Sequence, residues 1–294
     1  LLLVVGAAAD APALTFMLKS AARAGVSRKV LVVATDASLA AALRQSGAVG
    51  DATVVERPAE GGGGALALAH ARYAALLGVL AAGIAVLSAL PATLLVSDPF
   101  AALYRDSDIE AMSAGWDDGS AYGYNHVLDD PSMGITRSCH GLRIAAYDGG
   151  LAFFEPTDEA VAAVDRVVSR LRRVGGGSGD GGGGSDGGAS KYLSEELFLP
   201  AHNSVTRAGA RARVANPLCF GNSKTLFAQH VHDSLPGGAP EPVAVHVSYQ
   251  KEPAAHMRAL VGRYRRGDRG ALAALMLDRT DPRQKALCAA PRRP

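Results

Sequence analysis

LLLVVGAAADAPALTFMLKSAARAGVSRKVLVVATD, Leu1 to Asp36, decides the fold class. Leu1 to Val5 is an unbroken apolar run, the pattern of a strand buried on both faces. Pro12 to Ala24 then carries Leu14, Met17, Leu18 and Ala21 at helical spacing, and Gly25 stops it. Val30 to Val33 is a second buried strand, ending at Thr35-Asp36. The same alternation continues outward. Ser38 reads as the N-cap of a helix over Leu39 to Gln45, closed by Gly47. Val54-Val55 reads as a short strand, Ala65 to Ala82 as a helix and Ile84 to Leu87 as a strand. Alternating strand and helix predicts an α/β domain with a mainly parallel sheet and helices on both faces. Polar residues just past the carboxyl ends of such strands are the default ligand site. That rule nominates Ala7 to Asp10, Thr35-Asp36 and the segment after Leu87.

The second half is less regular. Ile144 to Tyr147 and Leu151 to Phe154 read as strands around a turn at Asp148-Gly149-Gly150. Asp158 to Val174 reads as an amphipathic helix, with Val161, Val164, Val168 and Leu171 on one face. Gly175 to Gly188 is almost all Gly, Ser and Asp; it has no apolar area to bury and reads as a surface insertion. Glu195 to Pro200 reads as a short helix, Val243 to Val247 as a strand containing His246, and Ala254 to Arg265 as a closing helix. Neither half looks self-sufficient. The chain is therefore expected to form a single domain over 1–268, with 175–188 as an insertion and 269–294 as a C-terminal helix and tail.

Composition narrows the function classes. The chain has 294 residues, 48% of them hydrophobic, and a formal net charge of only +2, so bulk electrostatics point to neither nucleic acid nor a membrane surface. Cys139, Cys219 and Cys288 form no CxxC or Cys/His zinc pattern. Ala74 to Val96 holds no charged residue and is long enough to span a bilayer. Gly83 and Pro91 interrupt it and alanine dominates it, which favours a buried helix followed by a buried strand. The turn after the first strand, Gly6-Ala7-Ala8-Ala9-Asp10, has one glycine where a dinucleotide fingerprint needs three. There is no Walker loop, GxSxG elbow or HExxH, which argues against hydride transfer, P-loop phosphoryl transfer and α/β-hydrolase chemistry.

What remains is a parallel-sheet nucleotide fold with an unusual middle. Thr93 to Gly134 gathers Asp98, Asp106, Asp108, Glu110, Asp117, Asp118, Asp129 and Asp130 with the only Trp, Trp116, and Tyr104, Tyr122 and Tyr124. Carboxylates hold divalent ions and aromatic faces stack on sugars and bases; a solvated acidic loop fits the composition equally well. The blocks LVSDPFAALYRDSDIEAMSAGWDD, AYGYNHVLDDPSMG, GLAFFEPTDEAV, SEELFLP and VAVHVSY, in that order, resemble the nucleotide-diphospho-sugar transferase family. The nearest resemblance is to its plant and algal branch, whose members extend arabinose chains on hydroxyproline-rich cell-wall proteins.

That resemblance implies a GT-A fold and retaining transfer of a sugar, a pentose such as arabinose, from a UDP-sugar to a glycoprotein or glycan acceptor. It implies a divalent ion, usually manganese, on the diphosphate, and a Golgi-lumen enzyme held by an N-terminal membrane anchor upstream of Leu1. The leaving UDP gathers charge, which such an ion neutralises. By resemblance, Asp36 meets the nucleoside, Arg72 a phosphate, and Trp116, Asp117 and Asp118 shape the sugar or acceptor pocket. Asp148 lies near the acceptor, Glu195 and Glu196 bind acceptor hydroxyls or stabilise the reacting centre, and His246 completes the metal site. Each has a plainer reading: an N-cap for Asp36, a surface arginine for Arg72, a strand turn for Asp148, helix-dipole stabilisation for the glutamates and a core histidine for His246.

One departure stands out. The family's Asp-x-Asp pair falls at Leu90 and Ala92, where this chain reads Ser88-Ala89-Leu90-Pro91-Ala92. Neither side chain can ligate a cation. Asp106-Ser107-Asp108 has the right letters but matches a different family position. The alternative to an active enzyme is a degenerate member that binds a nucleotide sugar or a protein partner without turnover.

Overall fold

The computed structural model describes residues 1–60, 64–115, 147–175, 188–198, 209–228, 241–248, 250 and 252–275. Its elements run in the expected alternation. They are β1 (Leu2–Gly6), α1 (Ala11–Arg23), β2 (Val30–Ala34), α2 (Ala37–Gln45), β3 (Thr53–Glu56), α3 (Ala65–Ala81), β4 (Val86–Ala89), β5 (Thr93–Leu95) and β6 (Ile109–Ser113). β7 (Tyr147–Phe154), α4 (Asp158–Gly175), α5 (Ala189–Phe198), β8 (Ala212–Val214), β9 (Phe220–Asn222), β10 (Ala244–His246) and α6 (Pro253–Arg266) follow.

The main sheet has seven strands in the order β3-β2-β1-β4-β7-β6-β8. β3, β2, β1 and β4 are parallel to one another. β7 alone runs antiparallel, to β4 on one side and β6 on the other, and β8 is parallel to β6. The mainly parallel α/β sheet in one domain is thus observed. The reversal of β7 has a consequence for function: its first residues lie at the carboxyl edge of β4. A three-stranded sheet, β5-β10-β9, stands beside this edge.

Successive side chains of a strand point to opposite faces, and β1 shows it. Leu2 and Val4 enter one core layer, with Leu14, Met17 and Leu18 of α1 and Met257 and Leu260 of α6. Leu3 and Val5 enter the other, with Leu76 and Leu80 of α3 and Val164, Val167 and Leu171 of α4. Full burial of one such Leu or Val stabilises the fold by about 1.5–3 kcal/mol. The apolar run in question is therefore α3 followed by β4, and no described helix is long and apolar enough to cross a membrane.

Four local expectations are corrected. The N-cap of α2 is Asp36, whose Oδ1 accepts the Leu39 N–H at 2.7 Å, so the helix starts before Ser38. The strand expected at Ile84 starts at Val86; Gly83 turns at φ +77° and leaves Ile84 48% exposed. Asp148-Gly149-Gly150 is no hairpin turn but lies inside β7, while Ile144 falls outside the described residues. Glu195-Glu196 does not head a helix: α5 begins at Ala189 and places the pair in its second half. Of the glycine insertion, 176–187 lies outside the described residues, as does 276–294 of the tail.

Candidate functional site

The carboxyl edge of the main sheet is built in strand order from the ends of β2, β1 and β4 and the start of β7. At β2, Asp36 caps α2 and its other oxygen accepts the Ala8 N–H at 2.8 Å. Both oxygens thus tie the loops after β1 and β2 together. Beside it, Asp10 accepts the Ala7 N–H at 2.9 Å. Burial pushes the Asp10 carboxyl above its ordinary pKa, and the charge of Asp36 adds to this against the Ala7 hydrogen bond.

Past β4, the Leu90-Pro91-Ala92 segment is fastened to its neighbours. The Leu90 N–H donates to the Gly150 carbonyl at 3.0 Å, and the Thr93 hydroxyl donates to the same oxygen at 2.8 Å. The Ala92 carbonyl accepts the Val247 N–H at 2.9 Å, and Thr93 pairs with His246 across β5 and β10. The position of the missing Asp-x-Asp pair therefore adjoins both Gly150 and the His246 strand.

Asp148, Gly149 and Gly150 form the centre. β6 pairs Ala111 with Ala152 but Met112 with Asp148, so the extra residues of β7 bulge out of the ladder. Bulges re-aim side chains and concentrate near functional sites. Here the bulge brings the Asp148 carboxylate to the imidazole of His246, with Oδ1 and Nδ1 2.9 Å apart, His246 buried and Asp148 nearly so. The carboxylate lies out of line with the Nδ1–H bond, so charge and proximity rather than an aligned hydrogen bond join the pair. Oδ1 also accepts the Gly150 N–H at 2.8 Å. Burial alone would raise the Asp148 pKa; the charge of His246, its contact, the Gly150 N–H and the charge of Lys224 outweigh it and hold the carboxyl below its ordinary value.

The two glycines are required by close approach. A Cβ on Gly150 would lie 2.2 Å from both Cγ and Nδ1 of His246. A Cβ on Gly149 would lie 2.6 Å from Ser190 Oγ and 3.1 Å from an Arg72 nitrogen. His246 and Arg72 therefore close on the same segment from opposite faces of the sheet. Arg72 is not the surface arginine of the plainer reading. It is 3% exposed, its Nη1 donates to the Gly149 carbonyl at 3.4 Å, and its Nε has no partner. No acidic side chain among the described residues pairs with it.

Sequence reasoning missed several supporting residues. Ser190 and Ser194, four apart on one face of α5, accept the Gly149 and Tyr147 N–H groups at 2.8 and 3.3 Å. Asn222, the β9 neighbour of His246, donates to the Ser113 and Gly115 carbonyls, both at 2.8 Å, and locks the small sheet to the end of β6. Lys224 opens a π-helix, Lys224–Ala228, and its ammonium donates to the Ala114 carbonyl at 3.4 Å. The one available signal was a glycine pair inside an apolar strand, which marks a bulge or close approach.

The glutamates lie differently from expectation. Arg170 of α4 ion-pairs with Glu195 and, at 3.1 Å, with Glu196. It also stacks 4.5 Å from the Tyr192 ring. The pair faces α4, whereas Ser190 and Ser194 face the bulge. Asp106-Ser107-Asp108 precedes β6 and so lies at the opposite edge of the sheet, where Asp106 pairs with Arg213 and Asp108 accepts the Arg211 N–H at 2.7 Å. Trp116, Asp117 and Asp118 fall outside the described residues.

These side chains do not fit a divalent cation. Leu90 and Ala92 offer no donor atom, and Asp148 and His246 together present one carboxylate and one imidazole. Among the described residues no group of three or more His, Cys, Asp or Glu side chains could hold a metal ion. A hard cation takes several oxygen ligands.

Comparison with known proteins gives the arrangement its context. Arabinosyltransferase RRA2 of Arabidopsis thaliana is 33% identical over 210 residues, 71% of this chain and 46% of that protein. Arabinosyltransferase RRA1 of the same plant is 33% identical over 177 residues, 60% of this chain and 41% of its own length. The chain thus spans under half the length of these curated relatives. The galactosyltransferase LgtC, solved with donor and acceptor sugar analogs, superposes with a TM-score of 0.48 at 11% identity, covering 97% of this chain and 99% of that one. Mouse xyloside xylosyltransferase 1 gives 0.44 at 11% identity, covering 84% and 96%. The model of the nucleotide-diphospho-sugar transferases matches residues 25–260, and the chain belongs to that family.

Proposed function

We propose that this domain binds a UDP-sugar at the carboxyl edge of its main sheet and serves a retaining glycosyl transfer of the arabinosyltransferase kind. The observation that carries the reading is the bulged segment Asp148-Gly149-Gly150. It holds the Asp148–His246 pair on one face and, on the other, a buried arginine with no acidic partner among the described residues. Buried uncompensated charge is costly, so a guanidinium kept there is suited to an anionic ligand. A nucleoside diphosphate supplies that anion, and a strand-end crevice in an open α/β sheet is where such ligands bind. A pentose donor and a glycoprotein or glycan acceptor, in the Golgi lumen on an anchored protein, go with the family reading. In this reading Asp36 meets the nucleoside, Asp148 serves the acceptor side, and Trp116, Asp117 and Asp118, outside the described residues, are assigned to the sugar or acceptor pocket. Glu195 and Glu196 contribute through the α5 side of the site.

Leu90-Pro91-Ala92 favours a second reading, a binding member without appreciable turnover. Transfer needs the charge of the leaving UDP neutralised, and one lost electrostatic donor costs a factor of about 10²–10³ in rate. Radiolabelled UDP-arabinose with a hydroxyproline-rich peptide tests both readings. Label in the peptide supports transfer. Saturable UDP-sugar binding with no label transferred supports the second reading, and absence of binding contradicts both.

A further inference from the structure

We propose a second binding site, in the cleft between α1, β5 and α6, for an acidic peptide segment of a partner protein that carries one aliphatic anchor. The cleft shares no residue with the strand-end site, and the proposal does not depend on the donor reading. It is a cavity of about 400 Å³, open to solvent, and no carboxylate is among the described side chains that line it. Its floor is Phe16, the buried Leu94 and Leu95, and Val261. Its rim is Lys19, Arg23 and Arg265. The walls are two helix stripes. On α1, Lys19 and Arg23 follow Phe16 by three and seven residues; on α6, Val261 and Arg265 follow Arg258 at the same spacing, so each set shares one helix face. Arg258 adds a fourth cation, its guanidinium 5.9 Å from the centre of the Phe16 ring. Both walls are fastened. The Ser20 hydroxyl accepts the Leu95 N–H at 3.0 Å and donates to the Met17 carbonyl at 2.6 Å, which ties α1 to β5. Arg265 donates to the Val96 carbonyl and ties α6 to the same strand. A cleft held in this way is formed before its ligand arrives, which lowers the ordering cost of binding.

Charge and spacing select the occupant. Lys19 and Arg23 are exposed, and no ion pair among the described residues engages them. Asp98, three residues beyond Leu95, is paired with Lys29 at 3.8 Å. Clustered cations of this kind recognise acidic segments through charge-assisted hydrogen bonds. The seven-residue step from Arg258 to Arg265 covers roughly 10 Å of helix, the reach of about three residues of extended chain. A lone small anion meets one end of that row. Carboxylates three apart on an extended peptide meet both, and an aliphatic side chain between them is placed over the apolar floor.

The test is fluorescence polarisation of a labelled peptide, Gly-Glu-Glu-Leu-Ser-Glu-Glu-Gly, titrated with the whole chain, native and as Lys19→Glu/Arg23→Glu and Val261→Trp. Thermal unfolding checks each variant. A peptide with Ser in place of Leu, inorganic phosphate as competitor and phosphatidylserine vesicles are run in parallel. The native chain should bind the peptide saturably. The charge reversal should weaken binding by about tenfold or more, the scale of one hydrogen bond to a charged group. Val261→Trp, which fills the cleft, and the Ser peptide should each weaken it by about fivefold or more, the scale of partly burying one aliphatic side chain. If the reversal does not fold, Lys19→Gln/Arg23→Gln carries the test at the same exposed positions. Absence of saturable binding overturns the inference, as does unaltered affinity in the folded charge variant or in folded Val261→Trp. Equal binding of the Ser peptide, or displacement by phosphate at matching concentration, leaves only a general attraction for anions and overturns it too. Binding of the vesicles but not of the peptide makes the face a membrane contact and overturns the peptide site.

Discussion

His246 Nδ1 sits 2.9 Å from Asp148 Oδ1, and its ring occupies the space that a side chain at position 150 would need. The residue that supplies the charge and the residue that makes room for its partner are thus two apart on one bulged strand.

That contact sets a pH dependence. The folded carboxyl of Asp148 is held below its ordinary value. Its stabilising contribution is therefore present above the unfolded pKa, about 3.9, and lost as pH falls through the folded value. Asp148→Asn should cost about 1–3 kcal/mol near neutral pH. The gap from the native protein should shrink below about pH 4. Asp10 should behave oppositely: its pKa is raised, so its contribution is lost as pH climbs through the folded value. Asp10→Asn should gain on the native protein as pH rises. Urea unfolding across pH 3–7, a span chosen to bracket the ordinary carboxylate range, checks both signs.

Gly150→Ala should drive a methyl group into the His246 ring and destabilise the fold by about 1–3 kcal/mol, the cost of overpacking. His246→Ala removes the obstacle. The double variant should be more stable than the sum of the two single losses predicts, by about 0.5 kcal/mol or more. Strict additivity would mean that the ring does not occupy that space.

Arg170→Ala should leave the buried Glu196 carboxylate without its cation and Glu195 with only the Lys191 ammonium at 3.9 Å, and cost about 3 kcal/mol. Because α5 also carries Ser190 and Ser194 onto the bulge, donor binding should weaken with it. Glu195→Gln and Glu196→Gln distinguish a structural from a catalytic role. Loss of transfer rate with unchanged melting temperature would place a glutamate in the chemistry. Parallel loss of both would place it in the α4–α5 clamp.

The sheet was legible because β1, β2 and β4 are buried on both faces, so their residues read as unbroken apolar runs. Helix ends were legible where glycine takes positive φ, as at Gly25 (+74°) and Gly47 (+61°). The bulge was not. Two adjacent glycines after an aspartate spell a turn in local terms, and only the approach of His246 and Arg72 from distant parts of the chain shows why the strand continues. Ser190, Ser194, Asn222 and Lys224 gave no signal of their place at this edge either, since the backbone groups each of them ties to it lie more than 40 residues away. His246, Asp148 and Arg72 were nominated by resemblance, and that they adjoin one segment could be seen only in three dimensions.

The measurement that reaches the central claim most directly is a calorimetric comparison of UDP binding by the native chain and by Leu90→Asp/Ala92→Asp, each with and without manganese. Both positions are half-buried and adjoin Gly150 and the His246 strand, so two carboxylates can be placed there. The native chain should bind UDP with an affinity that manganese changes less than about threefold, whereas manganese should tighten the double variant by about tenfold or more, roughly 1.4 kcal/mol. Manganese-dependent binding by the native chain, or a folded double variant indifferent to the ion, would contradict a donor site at this edge that has lost its metal anchors.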